Sequence, residues 1–306
     1  MVDGLEIGVV LVTYNRIDKL KIALECFANQ TKLPSYMIVV DNASTDDTET
    51  YLNEWKTRND GFHKYIIRHS ENSGGSGGFY SGLEAASKLN ANWIWVSDDD
   101  AFPEVDALEQ TGVFLEEHNE HLSAICGAVI NHGQYDLSHR KNYNQIGLNI
   151  VEYHFPEIMY EQRCFELTCF SYVGTIMNRE SLIKSGLPNR EYFLWCDDTE
   201  HSLRLNKEGK ILCVPAIRVH HDVGTSNDGF TWKTYYGFRN LADMYRRHFS
   251  QMVYEWFCLK MILKTVLNDI QGKNKVENKA IRTAILDARH NKFGIHELYK
   301  PGWKPN

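Results

Sequence analysis

The 306 residues hold no Cys-x-x-Cys pair, no Gly-Lys-Ser or Gly-Lys-Thr, no internal repeat and no low-complexity tract. The seven cysteines (Cys26, Cys126, Cys164, Cys169, Cys196, Cys213, Cys258) are odd in number and scattered, several of them inside apolar runs. That excludes a disulfide framework or a zinc site and predicts reduced, buried thiols in a cytosolic protein. The missing Gly-Lys-Ser/Thr excludes a Walker phosphate loop. Basic charge is not in excess: 33 Lys and Arg stand against 40 Asp and Glu, a formal net charge of −7, so nucleic acid is not an expected partner. No apolar run reaches the ~20 residues of a membrane span. No basic segment with an apolar stretch behind it precedes the first strand, so no signal peptide is expected.

What is present is a series of apolar runs that stop at polar clusters. Ile7–Thr13 (IGVVLVT) reads as a first buried strand, followed by a helix carrying Ile17, Leu20, Leu24, Phe27 and Ala28. Residues 36–40 (YMIVV) read as a second strand. Ser44 to Asp47 resembles a capping box that opens a helix to about Trp55. Residues 65–68 are a short third strand, 72–78 (NSGGSGG) a glycine-rich loop, and 79 to about 89 a helix. Residues 93–100 (WIWVSDDD) are an apolar strand ending in three carboxylates. This β-α-β-α-β-α-β order is that of a doubly wound, mostly parallel α/β sheet.

The pattern continues with a helix from Pro103 to about His118, a strand at 125–130 and a polar stretch at 131–169 read as loops with short strands. Residues 170–177 read as a further strand. Residues 192–198 (YFLWCDD) are a second apolar run ending in acids, and a helix from Thr199 to Lys207 closes at Gly209. A strand over 210–219 ends at His220 and His221, and from Thr231 the chain is helical in two or three segments to about Arg289. The composition shift near 230 predicts a domain over 1–230 and an all-α region over 231–306.

Four strand ends carry polar clusters: 13–16 (TYNR), 41–44 (DNAS), 98–100 (DDD) and His220-His221. In a parallel sheet they share one edge, where ligands of open α/β sheets bind. Three adjacent carboxylates need a cation or a solvated turn. Mg²⁺ or Mn²⁺ bound with substrate phosphates satisfies that need; a helix cap satisfies it equally. Asp41 and Asn42 suit a base or ribose, or an Asx turn with an N-cap. The glycine loop follows the third strand rather than the first, which argues against a dinucleotide fingerprint.

In order, VVLVTYNR, VVDNASTDDT, NSGGSGGF, WVSDDD, WCDDTEH, VHHDVG and YYGFRN resemble a family 2 glycosyltransferase of the GT-A fold, most like bacterial galactofuranosyltransferases, with rhamnosyltransferases as close neighbours. The resemblance implies that Thr13, Asn15 and Arg16 line a nucleotide site, with Asp41 on the uracil or thymine edge. Asn72, Gly74 and Gly75 would let the backbone approach the donor, and Arg239 would reach the diphosphate or serve as a surface ion-pair partner. Asp98 and Asp100 would bind Mn²⁺ or Mg²⁺ with His221, or with His220 as the alternate, and Asp99 would face the sugar or bond locally. Asp198 would be the base of an inverting transfer, with Trp195, Asp197 and Glu200 on the acceptor; either aspartate also suits a helix cap. The implied partners are a UDP- or dTDP-linked sugar and a glycan or lipid-linked glycan acceptor. The implied location is cytoplasmic, peripheral on the inner membrane face. Residues 252–267 are compatible with packing on the sheet domain, with homo-oligomer formation or with lying on a membrane surface. A sugar-phosphate nucleotidyltransferase and a non-catalytic sugar-nucleotide-binding subunit are the competing classes.

Overall fold

The computed structural model describes residues 5–118, 120–223 and 229–305. The first half alternates β1 (Ile7–Thr13), α1 (Ile17–Ala28), β2 (Tyr36–Asp41), α2 (Thr48–Thr57), β3 (His63–Arg68), α3 (Gly74–Ser87) and β4 (Trp93–Asp98). The middle holds β5 (Ala101–Pro103), α4 (Ala107–Glu117), β6 (Leu122–Asn131) and β7 (Gln134–Tyr135). Then come the hairpin β8 (Arg140–Ile146) and β9 (Asn149–His154), β10 (Phe165–Leu167), β11 (Cys169–Phe170) and β12 (Thr175–Asn178). The rest is α5 (Arg179–Ser185), α6 (Asp197–Glu208), β13 (Lys210–His221), α7 (Trp232–His248), α8 (Gln251–Ile270) and α9 (Lys275–Arg289).

The main sheet runs β10-β13-β6-β12-β4-β1-β2-β3, and β1 pairs in parallel with both β2 and β4. Only β10 and β12 of that path run against their neighbours. The strands are apolar on both faces because both faces are covered. On one, Val9, Leu11 and Trp95 meet Leu24 and Phe27 of α1, Trp55 of α2 and Leu108 of α4. On the other, Val10, Val12 and Val96 meet Phe79 and Leu83 of α3 and Leu205 of α6. The α/β sheet of the sequence reading is therefore the observed architecture, with a helical region at the C-terminal end. Helices α7 to α9 share a core (Met244, Phe257, Ile285) that also takes in Tyr143 and Ile150 of the hairpin.

Several local expectations fail for identifiable reasons. The glycine-rich stretch is not a loop before a helix: α3 begins at Gly74, and the glycines are its first turns. A Cβ on Gly78 would meet Val12 at 2.5 Å and one on Gly82 would meet Val10 at 2.4 Å, so glycine lets α3 lie directly on β1. The capping box at 44–47 does not form, since Ser44 Oγ instead accepts from the Asn15 amide. Residues 170–177 split into β11 and β12, with Gly174 at φ +63 between them. The apolar run at 192–198 ends in the acids that open α6, as read, but it is irregular. It makes a turn in which Leu194 N–H bonds the Tyr192 carbonyl at 2.7 Å, and Phe193, Trp195 and Cys196 all take positive φ.

Candidate active site

The C-terminal ends of β1, β2, β4 and β13 meet at one edge, because β13 runs parallel to β6 and β12 reverses between β6 and β4. After Asp98 the chain turns through Asp99 and Asp100 into β5, which pairs antiparallel with the end of β13 and sets Ala101 opposite His221. The three acids therefore lie beside the histidine pair. Neighbouring strand residues point to opposite sides, so only one of the two histidines faces the acids. His221 Nε2 lies 3.4 Å from Asp100 Oδ1, whereas the exposed His220 bonds Glu104 at 3.0 Å. Gly224, which completes the VHHDVG motif, lies outside the described residues.

The three acids are held differently. Thr13 hydroxyl donates to Asp99 Oδ2 at 2.7 Å. Arg16 donates to Asp99 Oδ1 at 3.2 Å and to Asp100 Oδ2 at 2.6 Å. Asp99 thus bonds locally while lining a cavity beside β1. Burial, then the neighbouring carboxylates, push Asp98 up to about 8. Burial pushes Asp99 up to about 6 against the pull of Arg16. Burial also acts on Asp100, but the His221 hydrogen bond and Arg16 outweigh it, and its pKa is lowered.

Asp98, Asp100 and His221 suit a hard divalent cation in donor type. Among the described residues no three His, Cys, Asp or Glu side chains converge into a ready metal cage. Yet His221 Nδ1 is buried without a partner, and Asp98 lacks enough countercharge to stay ionised at its ordinary pKa. This fits an ion that completes its shell with phosphate and water rather than an all-protein site.

A cavity of about 310 Å³ opens beside β1, lined by Thr13, Arg16, Asn72, Gly74, Gly75 and Asp99. Asn42 organises its rim. Its Oδ1 accepts from the Ser73 amide at 3.0 Å, and its Nδ2 donates to Asn72 Oδ1 at 3.0 Å and the Gly74 carbonyl at 2.9 Å. Asn15 takes positive φ and binds the Thr45 amide. Asp41 is fully buried: Oδ1 accepts from the Ser44 amide at 2.8 Å, and Oδ2 makes no hydrogen bond but lies 3.6 Å from Arg68 Nη1.

A larger cavity of about 600 Å³ joins Asp98, Asp100 and His221 to Trp195, Asp197 and Asp198. Neither aspartate is the N-cap of α6; Cys196 is, without a side-chain bond. Both sit in the first turn, where the helix dipole favours negative charge. Asp197 is buried, and burial followed by Asp198 lifts it to about 7. Asp198 is more open. Burial raises its pKa, while Lys141 and the Thr199 amide and hydroxyl favour its charge. Trp195 is about half exposed, and a Cβ on Gly237 of α7 would meet its ring at 3.0 Å.

Two expected residues are elsewhere. Arg239 is buried away from the cavities, and its guanidinium donates to the carbonyls of Glu191, Tyr192 and Gly294. It is neither a diphosphate ligand nor a surface ion pair, because three backbone acceptors consume its donors. Glu200, expected on the acceptor, is buried against Arg204 at 2.9 Å and His248 at 3.0 Å. Burial works against its charge, but His248 and Arg204 outweigh it and hold Glu200 at about 2. Its ion pairs with Arg204 and His248 hold it inside, and it does not line the cavity that Asp197 and Asp198 line.

The residue reading also missed contributors. Asn240 Nδ2 lies 2.9–3.0 Å from the carbonyls of Tyr192, Leu194 and Trp195 and so holds the strained turn that presents Trp195. Lys141, Tyr143 and Glu152 of the β8–β9 hairpin line the larger cavity, with Lys141 to Glu152 at 3.2 Å and Tyr143 to Glu152 at 2.7 Å. The only signal for them was their place in the unread stretch 131–169.

The family model described as Glycosyl transferase family 2 matches residues 8–186. The galactofuranosyltransferase GlfT1 of Mycolicibacterium smegmatis is 32% identical over 122 residues, 40% of this chain and 38% of that protein. GlfT1 of Mycobacterium tuberculosis is 36% identical over 91 residues, 30% of this chain and 29% of its own. The match thus spans less than two fifths of the length of either relative. Among solved structures, GalNAc-T7 with UDP, GalNAc and Mn²⁺ superposes with a TM-score of 0.66 at 15% identity, covering 94% of this chain and 55% of that one. S. aureus TarS 1-349 in complex with UDP-GlcNAc gives 0.56 at 14% identity, covering 98% of both chains. These likenesses show a GT-A fold.

Proposed function

The chain belongs to glycosyl transferase family 2, and from that premise we propose that it transfers galactofuranose from UDP-galactofuranose to a hydroxyl of a bacterial surface glycan, with inversion. The named activity of the GlfT1 relatives supports the donor. The observation that carries the reading is the shared cavity. It joins the acids of β4 and His221 to an aspartate pair at the start of α6.

In this reading residues 1–230 form the catalytic domain and 231–306 a helical region that supports it. Thr13, Arg16 and the Asn42-braced rim of Asn72, Gly74 and Gly75 hold the nucleotide diphosphate. Asp41, whose Oδ2 faces Arg68 at 3.6 Å, stands at the uracil edge of that site. Asp98, Asp100 and His221 would hold Mn²⁺ or Mg²⁺, which supplies Lewis-acid neutralisation of the leaving diphosphate. Asp198 removes the acceptor proton as the acceptor oxygen bonds the anomeric carbon and the bond from that carbon to the diphosphate breaks. Asp197 binds an acceptor hydroxyl, and Trp195 offers a face to the sugar. Work on the cytoplasmic side of the membrane follows from a nucleotide-sugar donor and a lipid-linked acceptor.

The test is a panel of nucleotide sugars with release of UDP or dTDP followed over time. Release from UDP-galactofuranose above all others supports the reading; a clear rate with UDP-galactopyranose or dTDP-rhamnose and none with the furanose overturns it.

A further inference from the structure

Helix α8 (Gln251–Ile270) buries one side against α7 and α9 through Val253, Phe257 and Cys258. The opposite side is apolar and exposed. Trp256, Leu259, Leu263, Val266, Leu267 and Ile270 follow one another at helical spacing, with exposures from 37% at Trp256 to 78% at Ile270. The tip of the β8–β9 hairpin continues this face. Asn149 Oδ1 accepts from Trp256 Nε1 at 3.2 Å and from Lys260 Nζ at 2.9 Å, and Ile146 and Leu148 beside it are exposed. A row of large side chains of this extent marks an interaction surface rather than ordinary surface scatter.

The charge around the row selects the occupant. Residues 251–282 hold six basic side chains and three acids, whereas the whole chain is −7. Glu255 and Asp269 are neutralised by Arg289 at 2.9 Å and Arg282 at 2.7 Å. Lys264, Lys273, Lys275 and Lys279 are exposed. An apolar stripe on a helix that carries exposed Lys264 and is followed in the chain by exposed Lys273, Lys275 and Lys279 complements an anionic lipid surface. Two copies joined stripe to stripe would crowd lysines of one sign along a single seam. No helix of the described residues is long and apolar enough to cross a bilayer, so the face would lie on the surface rather than span it.

We propose that the α8 stripe and the β8–β9 tip seat this protein on an anionic lipid surface. The hairpin whose tip touches the lipid also lines the larger cavity with Lys141, Tyr143 and Glu152. Seating therefore brings the cavity to an acceptor carried in the membrane, a consequence that rests on the transfer reading above.

The experiment is co-sedimentation of the full chain with vesicles of phosphatidylglycerol and phosphatidylcholine, beside vesicles of phosphatidylcholine alone, without donor. UDP binding is measured in parallel. Binding to the anionic vesicles that weakens with salt is expected. Leu259→Glu with Leu263→Glu should weaken it more than about tenfold. Lys264→Glu with Lys273→Glu should weaken it by at least about fivefold per lysine. Both pairs should keep wild-type UDP affinity. Equal partition of wild type and both variants overturns the inference, as does a dimer that the leucine pair dissolves. No vesicle binding with UDP binding intact removes this inference alone; no UDP binding with vesicle binding intact removes the transfer reading alone.

Discussion

Gly74 and Phe193 are in backbone contact: a Cβ added to Gly74 would lie 1.9 Å from the Phe193 carbonyl oxygen. The Ser76 amide donates to that same oxygen at 3.3 Å. The start of α3, on the smaller cavity, is thereby fastened to the turn that carries Trp195 and leads into Asp197 and Asp198. Gly74 is also at φ +72, where a side chain is strained. Gly74→Ala should therefore lower the melting temperature by about 4 °C or more and cut kcat/KM for transfer more than about tenfold. Calorimetry with a UDP-release assay measures both, and wild-type values for both would show that the contact yields at no cost.

Asp198→Asn keeps the shape of the site and removes the proposed base. Transfer should fall by about 10²–10⁴, with UDP affinity within about twofold of wild type. Isothermal titration and UDP release separate the two. Transfer near the wild-type rate would move the base elsewhere.

The pH profile follows from the same residue. In the proposed mechanism transfer needs ionised Asp198, whose pKa is raised by burial. The acid limb of log kcat/KM should then lie above the ordinary carboxylate range near 3.9. Replacing Lys141, which favours the charged form, by Met should move that limb to still higher pH. A limb unmoved by Lys141→Met contradicts this coupling.

Asp98 gives a stability prediction of opposite sense to the usual carboxylate. Its folded pKa, near 8, lies above the unfolded value, so the folded state holds the extra proton between about pH 4 and 8. Its contribution to stability is complete below pH 4 and is lost as pH rises through 8. Without divalent ion, Asp98→Asn should raise the melting temperature at pH 8 by about 2–4 °C. Mn²⁺ should stabilise wild type and have little effect on the variant. Differential scanning fluorimetry with and without chelator reads both.

Arg239→Met should cost about 3 kcal/mol or more, because it strands three carbonyls that the guanidinium satisfies. Denaturant unfolding measures it. UDP affinity per folded molecule should remain near wild type, which a diphosphate ligand would not allow.

The sheet and its ligand edge were legible in the residues. A buried parallel strand is a continuous apolar run, and its end is a change to polar residues that a linear reading detects. The order of TYNR, DNAS, DDD and the histidine pair therefore placed one wall of the site without coordinates. It was the pairing of β5 with β13 that turned His221 rather than His220 toward Asp100, because a strand's side chain is directed by its register with a neighbour. Likewise, YFLWCDD reads only as an apolar run ending in acids, and it is the donors of Arg239 and Asn240, over 40 residues away, that hold its carbonyls in the turn that exposes Trp195. The glycines of NSGGSGG signal a loop locally and become a helix because β1 lies close enough to require them. Chemistry that depends on residue type and strand ends was decided by the chain itself. Chemistry that depends on which backbone carbonyl or carboxylate meets a distant donor was decided by packing.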